Sequence, residues 1–365
     1  MSNSTEKKDC NPKMDNVETA FNNIAENGNL SYLKAKPKID KGKHVQGAIR
    51  HKGQWLVSHD CKKDRGKGVF VLMDGENWHK FDSSIEGFSH PGGMQRIGDY
   101  AIVGVENSEW SEGYICLYYL GDMSAKSGKA PSLIEEFTIV FSCEDYEKDN
   151  EFCKQHDAIC KNYNNIKCKR HGAASVGITK YKGSDDNEYF LLSVFDQEEK
   201  KGSDNYDRPQ TFFFYRANAS DGIEKAKFTR FGDSTKFTNN LDEHGYSNHA
   251  LITDTKNNIY LIGLRSNSKF ATFSDSADLY KLSVSEDGVE LGQPITKHLN
   301  CKYKHNKVTY AASVHLKWGS GVDVISKSEI NILATEKCFD GDYLDVNVFS
   351  PSDTKNVQEV AENEE

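Results

Sequence analysis

The sequence has no long run of apolar residues. A secretory signal peptide needs an apolar core of about 7–15 residues and a membrane-spanning helix needs about 20. Neither pattern occurs in the 365 residues. The sequence therefore predicts a protein without a membrane span that is cytoplasmic by default, with a non-conventional route of export left open.

Helical periodicity is also scarce, and a short stretch at 17–24 is the main candidate for a helix. This scarcity disfavours α/β folds. The chain lacks a P-loop, a dinucleotide-binding fingerprint, a His-Glu-x-x-His metal motif and a Gly-x-Ser-x-Gly elbow. No enzyme class can be assigned from a short motif of this kind.

Positive charge is in deficit. The chain has 46 lysines and arginines against 55 acidic residues, which gives a net charge of -9. Nucleic acids reward a basic surface, so this balance predicts that nucleic acid is not a partner.

Four of the nine cysteines fall in one insertion at 143–169, at positions 143, 153, 160 and 168, together with His156. Two disulfides, a metal site and free thiols all remain open for this loop. The spacing lacks the Cys-x-x-Cys pairs of most structural zinc sites, so zinc is the minority interpretation.

What the sequence does contain is a block of strands that recurs five times. Each block opens with a strand of small, weakly polar residues, and the motif Ala-Ala-Ser-Val appears in two of them. The five opening segments are 46–49, 92–95, 173–176, 248–251 and 311–314. Small residues suit the innermost strand of a radial sheet, where several strands converge on a narrow axis.

Two short apolar strands follow each opening strand, and their β-branched and aromatic residues are typical of buried strands. A more polar fourth strand follows in four blocks, near 78–81, 137–141, 228–231 and 295–299. The fifth block lacks its fourth strand, and a matching segment lies at Leu30 to Lys36. We expect this N-terminal segment to complete the fifth block.

This pattern resembles β-propeller proteins as an architecture. It predicts an all-β propeller over 30–350, most simply with five blades, although a sixth could hide in an insertion. The polar segments 1–29 and 351–365 are predicted to be disordered. Five-bladed propellers as a class include sugar-binding lectins and glycoside hydrolases, which is an analogy because fold does not fix function.

Propeller sites usually lie at one mouth of the central channel. That mouth collects the residues before each inner strand and those after each second strand. Four carboxylates there are candidates for acid–base catalysis: Asp60, Glu106, Asp196 and Glu336. Seven further residues are candidates for ligand binding: His44, His59, His90, Gln95, His171, His249 and Arg265.

Three hypotheses follow from these residues. The first is recognition of a glycan or protein at the mouth. The second is a hydrolase or lyase acting on a sugar or phosphorylated substrate, with a divalent metal as an open option. It predicts a close, buried carboxylate pair in which one member has a raised pKa. The third is an interaction scaffold that uses the outer faces.

Overall fold

The computed structural model describes residues 8–37, 43–60, 66–83, 85–107, 113–138, 172–196, 211–232, 235–236, 245–269, 272–302, 314–339 and 342–351. The cysteine-rich insertion and the acidic tail from 352 onward lie outside these residues. None of the helices in the described part is long and apolar enough to cross a membrane.

Nearly all regular structure in the described part is β-strand. The strands are β1 (Asn29–Lys34), β2 (Val45–His51), β3 (Gln54–His59), β4 (Val69–Asp74), β5 (Asn77–Asp82), β6 (His90–Ile97), β7 (Tyr100–Glu106), β8 (Gly113–Tyr119), β9 (Ser132–Thr138), β10 (Ser175–Lys182), β11 (Glu188–Asp196), β12 (Thr211–Asn218), β13 (Thr229–Arg230), β14 (Thr235–Lys236), β15 (Asn248–Thr253), β16 (Ile259–Lys269), β17 (Thr272–Ser285), β18 (Gly288–Leu291), β19 (Ile295–Leu299), β20 (His315–Val324), β21 (Ile330–Thr335) and β22 (Tyr343–Phe349). A helix, α1 (Val17–Asn23), precedes them, and a 3-10 turn spans Ile223–Lys225.

These strands form five antiparallel blades. Blade 1 is β2 to β5, blade 2 is β6 to β9, blade 3 is β10 to β14 and blade 4 is β15 to β19. Blade 5 is β20 to β22 with β1 as its outer strand, so the β-propeller closes on its own N-terminal strand, as predicted. In that closure Asn29 faces Val348 and Lys34 faces Tyr343.

The core consists of five apolar clusters, one between each pair of neighbouring blades. The inner strands approach so closely that side chains are restricted. A Cβ on Gly321 would overlap the carbonyl oxygen of Ala48, and one on Gly93 would overlap the Asn248 amide. Glycine at these positions is therefore required by close approach, which explains the small residues of the repeated opening segment.

The N-terminal segment corrects one prediction. Residues 8–28 were expected to be disordered, but α1 begins after Asn16, whose side chain accepts a hydrogen bond from Thr19 N at 2.9 Å. Met14 and Phe21 are fully buried against blades 4 and 5. The prediction rested on the average polarity of the segment, which does not reveal that its few apolar residues are buried.

The same segment crosses one end of the channel. Asn11 bonds to Arg96 O and Gly98 N in blade 2, and Asp15 N donates to Lys327 O in blade 5. We call this end the far mouth. The near mouth is the opposite end, where the inner strands begin and the second strands end.

Candidate functional site

Five of the predicted site residues come together at the near mouth, between blades 1 and 2. His44 precedes β2, His59 ends β3 and Asp60 follows it. His90 begins β6 and faces Glu106 at the end of β7 in the strand register. The structure thus brings together five of the residues that the sequence placed at the ends of neighbouring strands.

Asp60 occupies the centre of the group. Its Oδ1 accepts a hydrogen bond from the His44 backbone N–H at 2.6 Å, and its own N–H donates to His44 O at 3.2 Å. The Oδ2 atom lies 3.8 Å from His90 Nδ1 and 3.6 Å from Lys43 Nζ. His59 Nδ1 is 2.7 Å from the Asp60 carbonyl oxygen. The carboxylate is thus held in one position by backbone and side chain together.

Glu106 lies on the other side of the same imidazole. Its Oε2 is 3.6 Å from His90 Nε2, and its side chain is buried. His90 therefore stands between two carboxyl groups, one at each ring nitrogen. A single imidazole separates them, so their oxygens lie within about 10 Å, the upper end of the range that carboxylate pairs use in glycoside hydrolysis.

The surroundings shift the pKa values of the two carboxyl groups in opposite directions. Burial raises the pKa of Glu106, and the facing His90 and a backbone hydrogen bond from Ala173 offset this only in part. Burial also acts to raise the pKa of Asp60, but His90 together with the ring and backbone N–H of His44 holds it well below its usual range. Burial lowers the pKa of His44 to about 4. Asp60 is consequently the anion, and Glu106 keeps its proton to higher pH than an ordinary glutamate.

Blade 5 contributes a side chain that the sequence did not point to. His315 of β20 faces Thr335 of β21 while Ser320 faces Ala334, so residues 316–319 bulge out of the ladder. The bulge carries Trp318, whose ring centroid is 5.2 Å from that of His44. Bulges often redirect side chains next to functional sites.

Two residues that were predicted to bind a ligand instead link the inner strands of different blades. Gln95 Oε1 accepts from Ile178 N and Leu251 N, and its Nε2 donates to Leu251 O at 2.8 Å. His249 lies between Ser175 and Ser193, with ring nitrogens 2.6 and 2.7 Å from the two hydroxyl oxygens. Both side chains are buried, and these contacts account for Gln95 and His249 as parts of the scaffold.

Two more predicted residues bond to groups within their own blades. Arg265 Nε donates to Asp278 Oδ2 at 2.7 Å within blade 4. Glu336 follows β21, and its Oε2 accepts from Asp345 N at 2.8 Å, which ties β21 to β22. The backbone of Asp196 ends β11, but its side chain and all of His171 lie outside the described residues.

A second acidic centre was also missed. Asp275 Oδ2 is 2.9 Å from His315 Nδ1, and its Oδ1 accepts from Leu316 N at 2.8 Å and from the Ser266 hydroxyl. Asp275 lies inside β17, so a rule based on strand ends could not find it.

Metal ligation has no ready-made site in the described part of the chain. No group of three histidine, cysteine or acidic side chains there is placed to hold an ion.

Comparison with family models and with curated proteins finds no match. Similar solved structures include a protein of unknown function from Dyadobacter fermentans, at 9% identity and a TM-score of 0.39, covering 88% of this chain and 99% of that one. A GH32 β-fructofuranosidase of Bombyx mori has 9% identity and a TM-score of 0.42, with 89% and 63% covered. An α-L-arabinofuranosidase from Fusarium graminearum has 9% identity and a TM-score of 0.41, with 91% and 100% covered.

Proposed function

We propose that the near mouth is the active site of a hydrolase that cleaves a glycosidic bond. Glu106 is the general acid, and Asp60 is the general base or nucleophile. The observation that carries the proposal is the pair of buried carboxyl groups on either side of His90, with the pKa of Glu106 raised and that of Asp60 lowered. Carboxyl pairs whose environments drive their pKa values apart are the usual basis of such acid–base assignments.

The two roles follow from the surroundings of each group. Glycosidic cleavage needs a proton on the leaving oxygen and a carboxylate to activate water or to attack the sugar. Glu106 retains its proton to higher pH than an ordinary glutamate, because burial disfavours its charged form. Asp60 stays ionised because His90, together with the ring and the backbone N–H of His44, lowers its pKa more than burial raises it. His90 fixes the spacing between the two.

Recognition without turnover is the rival hypothesis for the same mouth. A binding site needs polar groups that meet a ligand, and half-exposed His44 could serve that purpose. Binding alone does not require two buried carboxyl groups with opposed proton affinities, and burying such groups is costly. This difference favours catalysis over recognition.

The test is hydrolysis of a panel of aryl glycosides by the full chain and by Glu106→Gln and Asp60→Asn. We expect each substitution to lower kcat by about 100-fold or more, since positioned acid–base groups typically contribute that much. Glu188→Gln is the matched control, because Glu188 pairs with Lys180 near the far mouth. It should leave kcat unchanged.

The acid role has a signature that a structural role lacks. Glu106→Gln should lose far less activity on glycosides with an activated leaving group, such as dinitrophenol, than on those with a poor leaving group, because only the latter need the proton. Asp60→Asn should lose activity on both. Full activity in either variant, or no turnover of any glycoside by the unmodified chain, would refute the proposal.

A further inference from the structure

Two lysines contact one tryptophan ring of blade 5, which lies next to His44. Lys317 lies next to Trp318 in the bulge of β20, and Lys337 directly follows Glu336 at the end of the neighbouring strand. The Nζ atoms of Lys317 and Lys337 are 5.5 and 5.0 Å from the centroid of the Trp318 ring. One indole therefore contacts two ammonium groups.

These ammonium groups have no acidic partner in the part of the chain that the structure describes. Burial lowers the pKa of Lys317, and the nearby charge of Lys337 lowers it further. Cation–π contact offsets only about 0.5–2 kcal/mol of such a cost. Two partly buried positive charges therefore lie close to each other, and a bound anion would stabilise both.

The charge balance of the near mouth points the same way. Lys43 Nζ is 3.6 Å from Asp60 Oδ2, and Lys317 and Lys337 contact the Trp318 ring beside His44, so three ammonium groups lie on this side of the near mouth. This positive site stands out in a chain with a net charge of -9. A locally positive surface attracts anions.

Trp318 connects the lysines to the proposed catalytic pair. Its ring is next to that of His44, whose backbone N–H bonds to Asp60. The Trp318 side chain is almost fully buried, and its Nε1 has no hydrogen-bond partner among the described residues. The indole N–H is a further donor at a place already rich in positive charge.

We infer that the substrate is an acidic carbohydrate, a sugar that carries a carboxylate, sulfate or phosphate group bound by Lys317 and Lys337. That the bond cleaved is glycosidic rests on the function proposed above. The anionic group would lie beside the Trp318 ring at the near mouth, with the sugar extending towards Asp60 and Glu106.

Calorimetric binding to the full chain tests this inference without requiring turnover. The probes are methyl glucoside, methyl glucuronide, glucose 6-sulfate and glucose 6-phosphate, with the corresponding galactose series. We expect at least one anionic sugar to bind about tenfold more tightly than its neutral counterpart, as a charge-assisted hydrogen bond provides. The class of anion that binds best identifies the substituent.

Substitutions of the two lysines test whether they cause the preference for anionic sugars. The double substitution Lys317→Gln, Lys337→Gln should remove that preference, so that anionic and neutral sugars bind within about threefold of each other. Lys337→Arg keeps the charge and should retain most of the preference. Lys182→Gln is the control, because Lys182 is exposed and paired with Asp186, and it should change nothing.

Equal affinity for anionic and neutral sugars would overturn the inference. So would an anion preference that survives the double substitution, or no binding by any probe. If neutral glycosides are hydrolysed without any anion preference, the proposed function stands and the acidic substrate does not. If acidic sugars bind through the lysines but no glycoside is cleaved, the anion site stands and the proposed hydrolysis fails.

Discussion

Gln95 offers a demanding test of how the inner strands are held together. The side chain projects from β6 in blade 2 and bonds to the backbone of Ile178 in blade 3 and Leu251 in blade 4. It therefore satisfies three buried backbone groups from two neighbouring blades. Replacement by leucine keeps the approximate volume and removes all three hydrogen bonds.

The size of the effect follows from those three groups. A buried donor or acceptor left without a partner costs about 1–3 kcal/mol. Gln95→Leu should therefore lower the free energy of unfolding by about 3 kcal/mol or more, a large part of the 5–15 kcal/mol of an ordinary domain. Equilibrium urea denaturation followed by tryptophan fluorescence measures this loss.

Gln54→Leu is the matched control. Gln54 makes a similar pair of contacts, to Met123 O at 3.2 Å and from Ala125 N at 2.9 Å, but it is only half-buried between blades 1 and 2. Water can replace its hydrogen bonds, so the loss should stay near 1 kcal/mol.

Gln95→Glu adds a dependence on pH. The new carboxyl group can still accept from Ile178 N and Leu251 N, but when ionised it cannot donate to Leu251 O. Its folded pKa should therefore be raised, and the stability of this variant should fall as pH rises through that pKa. A Gln95→Leu protein within about 1 kcal/mol of the parent, or equal to Gln54→Leu, would refute this account of the channel.

Two further predictions concern other buried groups. Burial lowers the pKa of His249 to about 3, so below about pH 6.5 the unfolded chain takes up a proton that the folded chain refuses. His249 should thus destabilise the fold by about 1.4 kcal/mol for each pH unit below that point. In urea denaturation at pH 7 and pH 5, His249→Gln should lose less stability between the two pH values than the parent does. An equal loss in both proteins would contradict this. Phe21→Ala should cost about 3–5 kcal/mol, because the ring is fully buried. If Phe21→Ala melts at the same temperature as the exposed-site control Tyr32→Ala, α1 does not pack as described.

Much of the propeller was accessible from the sequence because each blade repeats one local pattern. The small opening residues predicted β2, β6 and β15, and the missing fourth strand of the last block predicted the role of β1. Strand pairing of this kind depends on local periodicity and on the need to satisfy a sheet edge.

The last inner strand shows where such reasoning stops. The motif at 311–314 predicted the start of this strand, but residues 311–313 lie outside those that the structure describes. The described strand β20 runs from His315 and meets β2 only at Ser320, after the bulge. A bulge depends on the packing of neighbouring blades and produces no periodic pattern in the sequence. The placement of Trp318 beside His44 was therefore beyond prediction from sequence.

The candidate site also has a part that the sequence predicted and a part that it could not predict. Strand ends predicted that His44, Asp60, His90 and Glu106 would converge. The sequence could not show which candidates the scaffold would use, because Gln95 is engaged by backbone groups distant in sequence. Asp275 was missed since it lies within a strand.

The central claim is that Glu106 and Asp60 differ in protonation, and carbon-13 NMR titration of the side-chain carboxyl groups tests it most directly. Spectra of the parent, Glu106→Gln and Asp60→Asn proteins assign the two resonances. We predict that Glu106 titrates above the usual glutamate value of about 4.3 and that Asp60 stays ionised down to the lowest pH at which the protein is folded. A Glu106 resonance that titrates at or below that value, or an Asp60 resonance that titrates at or above about 3.9, would contradict the account.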